Sequence, residues 1–132
     1  MPSFKGKYII TASGCIDCHT PVTDKGDLIM EKAFGGGREF PMGIYGTIVS
    51  SNITFDKETG IGEMDKDMFI KMFKKYDLKT YMPPTLEKGD FNTPMAWTMY
   101  AKMDTADLAA IYYYLKSLPP IVNFIKSKPF PK

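Results

Sequence analysis

The stretch GCIDCHTP (14–21) concentrates the reactive side chains of this chain in a few consecutive positions. It contains both cysteines, Cys15 and Cys18, and the single histidine, His19. The spacing C-x-x-C occurs in dithiol redox pairs, in zinc sites and in covalent attachment sites for a cofactor. The surrounding sequence must decide which of these chemistries applies.

Three alternatives explain the residues of this stretch less fully. A thioredoxin-like redox pair lies at the start of a helix after a strand, whereas here a helix-like segment and a glycine precede Cys15. A structural zinc site needs four ligands, and the cysteines and the histidine give only three, so zinc would require an added carboxylate. A disulfide would close a very small loop, would add little stability and would leave His19 unexplained.

The pentapeptide C-x-x-C-H is the attachment motif of c-type haem, and this chemistry uses each of its functional residues. The two thiols add to the two vinyl groups of the haem as thioethers, and two intervening residues let them span one porphyrin edge. The imidazole that follows directly falls under the iron. The motif therefore predicts one covalently attached haem c, bound through Cys15 and Cys18, with His19 as an iron ligand.

Composition limits the other functions that need to be considered. A length of 132 residues suits a single domain, expected over 1–132 with a core of about 4–118 and a tail over 119–132. The net charge of +2 comes from interspersed residues, which does not favour nucleic-acid binding. No acid–base pair or activated nucleophile is evident, so we predict an electron carrier rather than an enzyme with a substrate.

The apolar pattern predicts short helices separated by long loops. One helix is expected from Phe4 to about Ser13, ended by Gly14; a second is capped by Asp65, and a third begins at Asp104. The expected buried residues are Phe69, Met72, Phe73 and Tyr76 in the second helix, and Leu108, Ile111, Tyr112 and Leu115 in the third. At most a short strand is expected over 44–54, and an irregular loop over 83–96. The predicted fold class is mostly α, with a bound haem at the centre of the core.

From about Gly6 to Pro120 the chain resembles the class I cytochrome c domains of membrane-bound alcohol and gluconate dehydrogenase cytochrome subunits. The resemblance is carried by KGKYIITASGCIDCHTP (5–21), FGGGREF (34–40), SNITFDKETGIG (51–62) and TPMAWTMYAKMDTADLAAIYYYLKSLPPI (93–121). It implies the class I cytochrome c fold, in which short helices and long loops wrap one covalent haem, and it implies one-electron transfer. The chain departs from the family at Phe55 and Ala96, where proline is usual.

The second axial ligand of the iron must differ from the first. Because His19 is the only histidine, the sixth ligand is a methionine, a lysine, a terminal amine or nothing. Met82 and Met95 lie in the loop expected before the last helix. The resemblance assigns the ligand role to Met95, and Met82 is the alternative.

Other residues have two possible roles each. The indole N–H of Trp97 can reach a haem propionate, or the ring can pack over the haem edge. Asn52 can bind near the propionates or only shape the turn that contains it. His19 should donate its Nδ1–H to a carbonyl that the sequence does not identify.

Two expectations concern helix surfaces. By analogy with class I cytochromes, Gly6 is expected to lie against Tyr112 where the terminal helices cross. Lys71, Lys74 and Lys75 form either a docking patch for an acidic partner or an ordinary solvated face.

The expected location follows from the cofactor. In bacteria haem c is attached outside the cytoplasmic membrane, so we expect a periplasmic protein whose gene encodes an export signal or anchor upstream of MPSFKGKY. The expected partners are redox proteins, a dehydrogenase or an oxidase or reductase, with membrane contact only through a partner or a removed anchor. The alternatives are a module of a larger dehydrogenase complex and a haem domain whose open sixth site binds peroxide or gases.

Overall fold

A computed structural model describes residues 2–83 and 94–125 of the chain. The described helices are α1 (Pro2–Ala12), α2 (Cys15–His19), α3 (Lys66–Lys74), α4 (Trp97–Tyr100) and α5 (Thr105–Lys116), with 3₁₀ turns at Met30–Lys32 and Gly43–Tyr45. The mostly helical class is confirmed, and it is compatible with a cytochrome c fold. Most of the loop expected over 83–96 lies outside the described residues. None of the described helices has the length and apolar character needed to cross a membrane.

The terminal helices α1 and α5 pack closely because Gly6 has no side chain. A Cβ added to Gly6 would meet the backbone of Ala110 and would lie 2.6 Å from the Cβ of Tyr114. The expected partner, Tyr112, is therefore wrong. Tyr112 lies on a neighbouring face of α5, where its ring packs edge-on against Phe55 at a centroid distance of 5.1 Å.

The expected start of α3 is confirmed, and of its expected buried residues Phe69 and Phe73 are buried whereas Met72 and Tyr76 are half-buried. The Asp65 side chain accepts a hydrogen bond of 2.8 Å from the backbone N–H of Met68. In α5 the whole expected stripe is buried: Leu108, Ile111, Tyr112 and Leu115. Asp104 occupies the N-cap position of α5, but its side chain accepts no capping hydrogen bond.

A short hairpin precedes α3, where the sequence predicted one short strand at most. Strand β1 (Glu39–Pro41) pairs antiparallel with β2 (Thr47–Val49). The pairing continues beyond the strands, since the N–H of Gly37 donates to Ser50 O at 2.9 Å and the N–H of Ser50 donates to Arg38 O at 2.9 Å. Ser51 is the next residue after this extension, so the hairpin determines its position.

The segment after α5 packs into the fold. The N–H of Ile121 donates to Thr54 Oγ1 and the N–H of Asn123 to Thr59 Oγ1, both at 3.0 Å. The Asn123 side chain also donates to Gly35 O at 3.0 Å. Packing therefore continues past residue 118, where the sequence placed the end of the core; residues 126–132 of the expected tail lie outside the described part.

Candidate cofactor site

A mostly apolar cavity of about 510 Å³ lies between α2, the hairpin, α3 and α5. This volume is within the range of ordinary ligand and cofactor sites. Its lining brings together five of the predicted site residues: Cys15, Cys18, His19, Met95 and Trp97. These residues come from two parts of the chain about 75 positions apart, joined only by folding.

The turn before the motif directs both thiols into this cavity. Gly14 adopts the left-handed conformation (φ 75°), which separates α1 from the one-turn helix α2. Because residues three apart share one side of a helix, Cys15 and Cys18 line the cavity together. Burial, with a further contribution from Cys18, raises the pKa of the Cys15 thiol to about 11. A redox-active pair works through a thiolate of lowered pKa, so this environment disfavours that alternative.

The donor set also distinguishes haem from zinc. Within residues 2–83 and 94–125, no three His, Cys, Asp or Glu side chains are grouped so that they could hold a metal ion. The thiols of Cys15 and Cys18 are free. Two free thiols, an imidazole and a thioether beside one apolar cavity are compatible with a c-type haem.

The imidazole of His19 is oriented by backbone groups. Its Nδ1–H donates to Ser51 O at 2.8 Å, which leaves Nε2 for a ligand. The carbonyl of His19 accepts a hydrogen bond of 2.6 Å from the N–H of Gly36. Burial lowers the pKa of His19, which favours the neutral ring that a metal requires. Ser51 is the carbonyl that sequence reasoning left unidentified, and only the hairpin brings it to His19.

Aromatic rings surround Trp97 at the cavity. The Trp97 ring stacks on Tyr76 at a centroid distance of 5.1 Å and contacts Phe73 at 5.2 Å. The nearby Tyr100 hydroxyl donates to Ser13 O at 2.8 Å, so α4 is linked to the turn before the motif. These contacts favour the packing role for Trp97.

Asn52 lies outside the cavity lining, and its hydrogen bonds are made within the fold. The residue is buried, and its amide nitrogen donates to Ile121 O at 2.8 Å and to Thr59 Oγ1 at 3.2 Å. Its amide oxygen accepts from the N–H of Thr54 at 3.0 Å and from the Thr54 hydroxyl at 2.7 Å. Asn52 therefore serves the turn and the C-terminal segment, which was the other role the sequence suggested.

Three methionines line the cavity: Met72, Met95 and Met103. The alternative ligand Met82 does not, and its side chain is 87% exposed. The sequence predicted Met72 as part of the buried face of its helix, and Met103 directly precedes Asp104 at the start of α5. Met72 lies in α3, whereas Met95 and Met103 lie outside the described helices. Of these two, Met95 is the one to which the resemblance assigns the ligand role.

The three lysines of α3 and its C-terminus do not form one exposed patch. The Nζ of Lys74 donates to the carbonyls of Ala101, at 2.8 Å, and of Met103. Lys71 and Lys75 are exposed. Lys74 therefore anchors the end of α4, whereas Lys71 and Lys75 lie on the exposed face.

Comparison with known proteins agrees with the motifs. No family model matches the chain. The chain is 33% identical over 129 residues to the gluconate 2-dehydrogenase cytochrome c subunit of Pantoea cypripedii, which covers 96% of this chain and 26% of that protein. It is 30% identical over 118 residues to the cytochrome c subunit of the quinone alcohol dehydrogenase of Gluconobacter oxydans, covering 89% of this chain and 22% of that protein. The corresponding subunit of Gluconacetobacter polyoxogenes is 32% identical over 120 residues, with 90% and 22% covered.

The resemblance of this chain to cytochrome c subunits of gluconate and alcohol dehydrogenases is therefore confirmed. The chain spans about a quarter of the length of these curated relatives.

Proposed function

We propose that the chain is a monohaem c-type cytochrome that carries single electrons. Cys15 and Cys18 would hold the haem as thioethers, and His19 and Met95 would supply the ligands of its iron. The observation that carries the proposal is the convergence of these four side chains on one apolar cavity. The similarity to cytochrome c subunits of dehydrogenases supports electron transfer in general terms.

The haem supplies an iron atom that alternates between the ferrous and ferric states. His19 presents Nε2, because Ser51 O holds its Nδ1–H at 2.8 Å. Met95 presents a thioether sulfur, a ligand that favours the ferrous state and raises the reduction potential. The apolar lining excludes water, which makes the added charge of the ferric state more costly. A His19 ring held by Ser51 and a Met95 thioether would need little rearrangement when an electron moves.

The attachment motif supplies the route to solvent. Cys18 is exposed whereas Cys15 is half-buried. The edge of the cavity at Cys18 is therefore more accessible to solvent than the edge at Cys15. We propose that electrons enter and leave there. No substrate needs to reach the iron for this function.

The proposed partner is a dehydrogenase, with an oxidase or reductase as the other redox protein. Relatives named as subunits of dehydrogenases support a dehydrogenase partner. The same names are compatible with the alternative, a module within a larger dehydrogenase complex. The proposed location is the periplasm, because bacterial haem c is attached outside the cytoplasmic membrane.

Optical and mass measurements on one preparation test the proposal. The chain is produced with a bacterial cytochrome c maturation system, and its intact mass, pyridine haemochrome and oxidised and reduced spectra are recorded. We expect one haem per chain, bound through two thioethers, and the long-wavelength ferric band expected for methionine ligation.

Two results would refute parts of it. A chain that folds without haem, or that holds zinc at the cysteines, contradicts the haem assignment. Rapid binding of carbon monoxide to the ferrous protein contradicts methionine ligation and supports the open-site alternative.

A further inference from the structure

We infer that Gly36 is a positioning residue that sets the reduction potential of the iron by holding the Ser51 carbonyl against His19. The inference rests on the proposed function, because it assumes that His19 binds haem iron. Gly36 does not line the cavity. It acts only through the backbone groups that orient the imidazole.

Gly36 contacts the backbone on both sides of the His19 hydrogen bond. Its N–H donates to His19 O at 2.6 Å. On its other side, a Cβ added to Gly36 would lie 2.5 Å from both the carbonyl carbon and the oxygen of Ser51, and 2.6 Å from Asn52 N. That Ser51 oxygen is the one that accepts the Nδ1–H of His19. The absence of a side chain at position 36 is therefore what lets the acceptor approach the ring.

The conformation of this loop depends on glycine as well. Gly36 has φ 75°, in the left-handed region that favours glycine. Phe34, two residues earlier, also has a positive φ of 65°. It is held there because its N–H donates to Thr20 Oγ1 at 3.1 Å and its carbonyl accepts from the N–H of Ile53 at 2.9 Å. The loop is thus bonded both to the segment after His19 and to the segment after Ser51.

The hydrogen bond to Ser51 changes the electronic character of the ligand. A carbonyl that accepts the Nδ1–H makes the imidazole a stronger donor, and a stronger donor stabilises ferric iron. A side chain at position 36 would push the Ser51 carbonyl away and weaken this bond. The reduction potential should then rise, and the Nδ1 proton of His19 should exchange with solvent more easily.

The test compares Gly36→Ala with Gly26→Ala in the haem-bound protein. Gly26 has φ 87°, so alanine meets the same backbone restriction there, but no atom lies within 4 Å of its added Cβ. We expect Gly36→Ala to raise the reduction potential and to speed deuterium exchange at His19 Nδ1 roughly tenfold, as for one lost hydrogen bond. Gly26→Ala should keep the parent value of both. Equal shifts in the two variants, or no shift in Gly36→Ala, would overturn the inference.

A measurement on the unaltered protein covers the case in which Gly36→Ala does not fold. Native-state hydrogen exchange of the haem-bound protein is followed at the Gly36 amide and at His19 Nδ1. After correction for intrinsic rates, both protons should exchange through one shared opening. The two opening rates are then compared. If the Gly36 amide exchanges through openings that are more than roughly tenfold more frequent than those that release the His19 Nδ1 proton, the inference is overturned.

The pyridine haemochrome of the parent separates this inference from the proposed function. A parent without haem refutes the proposed function. A parent with haem, whose variants do not differ, refutes only the role of Gly36.

Discussion

The two sides of the cavity are built by different means. On the His19 side, formed by α2, residues 34–37 and Ser51, backbone hydrogen bonds fix both the ring and the carbonyl of His19. On the Met95 side, formed by residues 94–103, Trp97 packs against the rings of Tyr76 and Phe73. Hydrogen bonds are directional whereas aromatic packing depends mainly on contact area. The His19 side therefore fixes the direction of one atom, and the Met95 side fixes the position of a loop.

The two sides also differ in how many side chains they offer as iron ligands. The chain has a single imidazole, and the fold orients it. On the Met95 side, both Met95 and Met103 line the cavity, as does Met72 of α3, and unbranched methionine side chains adapt to several positions. Substitutions on the His19 side should therefore change the orientation of the ring, and substitutions on the Met95 side should change which sulfur is available as a ligand.

The largest effect is expected from the double variant Cys15→Ala with Cys18→Ala, which removes the group that both sides share. A cavity of about 510 Å³ left without its haem corresponds to a loss of about 12 kcal/mol at the cost observed for core cavities. That loss is comparable with the whole free energy of unfolding of an ordinary domain, about 5–15 kcal/mol. We expect no cooperative transition in urea by circular dichroism. A cooperative transition at the parent midpoint would show that both sides form without the haem.

The next largest effect is expected for Met95→Ala, with Met72→Leu and Met103→Leu as controls that line the same cavity. Loss of the thioether should abolish the long-wavelength ferric band, lower the reduction potential and make ferrous carbon monoxide binding fast. Both controls should keep the band. If Met72→Leu or Met103→Leu removes the band while Met95→Ala keeps it, the ligand assignment is wrong but the haem assignment remains.

A smaller effect, confined to the Met95 side, is expected for Lys74→Met. The ammonium group of Lys74 donates to carbonyls at the end of α4, where a positive charge is favourable. We expect a loss of about 1.5–3 kcal/mol in the free energy of unfolding, the range for hydrogen bonds to a charged group. Lys71→Met, at an exposed position of the same helix, should lose much less. Hydrogen exchange at His19 Nδ1 should stay unchanged in both variants, and a faster rate in Lys74→Met would show that the two sides are coupled.

The sequence predicted the local features of this fold well. Helix periodicity identified the buried faces of α3 and α5, and the Asp65 cap follows from side-chain chemistry within three residues. The site residues in α2 follow from one contiguous motif. Such features depend on neighbours along the chain, which a single sequence contains.

Three features that sequence reasoning missed depend on contacts between distant segments. The Ser51 carbonyl is 32 residues from His19 and reaches it only through the hairpin. The sequence around Lys74 indicates a solvated helix residue. Its partner, the carbonyl of Ala101 at the end of α4, is 27 residues away and is brought to it only by folding. The amide of Asn52 bonds to Ile121, 69 residues away, and no local pattern indicates that partner.

The smallest effect concerns Asp56, in the turn that follows Ser51. The Asp56 carboxylate accepts hydrogen bonds from the Thr59 hydroxyl at 2.5 Å and from the Thr59 N–H at 2.8 Å. These bonds, the hydroxyl first, hold the pKa of Asp56 below its usual range. The same hydroxyl accepts from the N–H of Asn123, so the carboxylate also supports the C-terminal segment.

The sign of the pH effect follows from the lowered pKa of Asp56. The stabilisation is fully present above the unfolded pKa, about 4, and is lost as the pH falls through the lower folded pKa. We therefore expect the parent to be slightly more stable than Asp56→Asn at neutral pH, and this difference to shrink below about pH 4. Urea unfolding of both haem-bound proteins at several pH values measures this difference, because the other titrating groups are common to the two. Parallel stability profiles over the acid range would show that the Asp56 hydrogen bonds do not contribute to the free energy of unfolding.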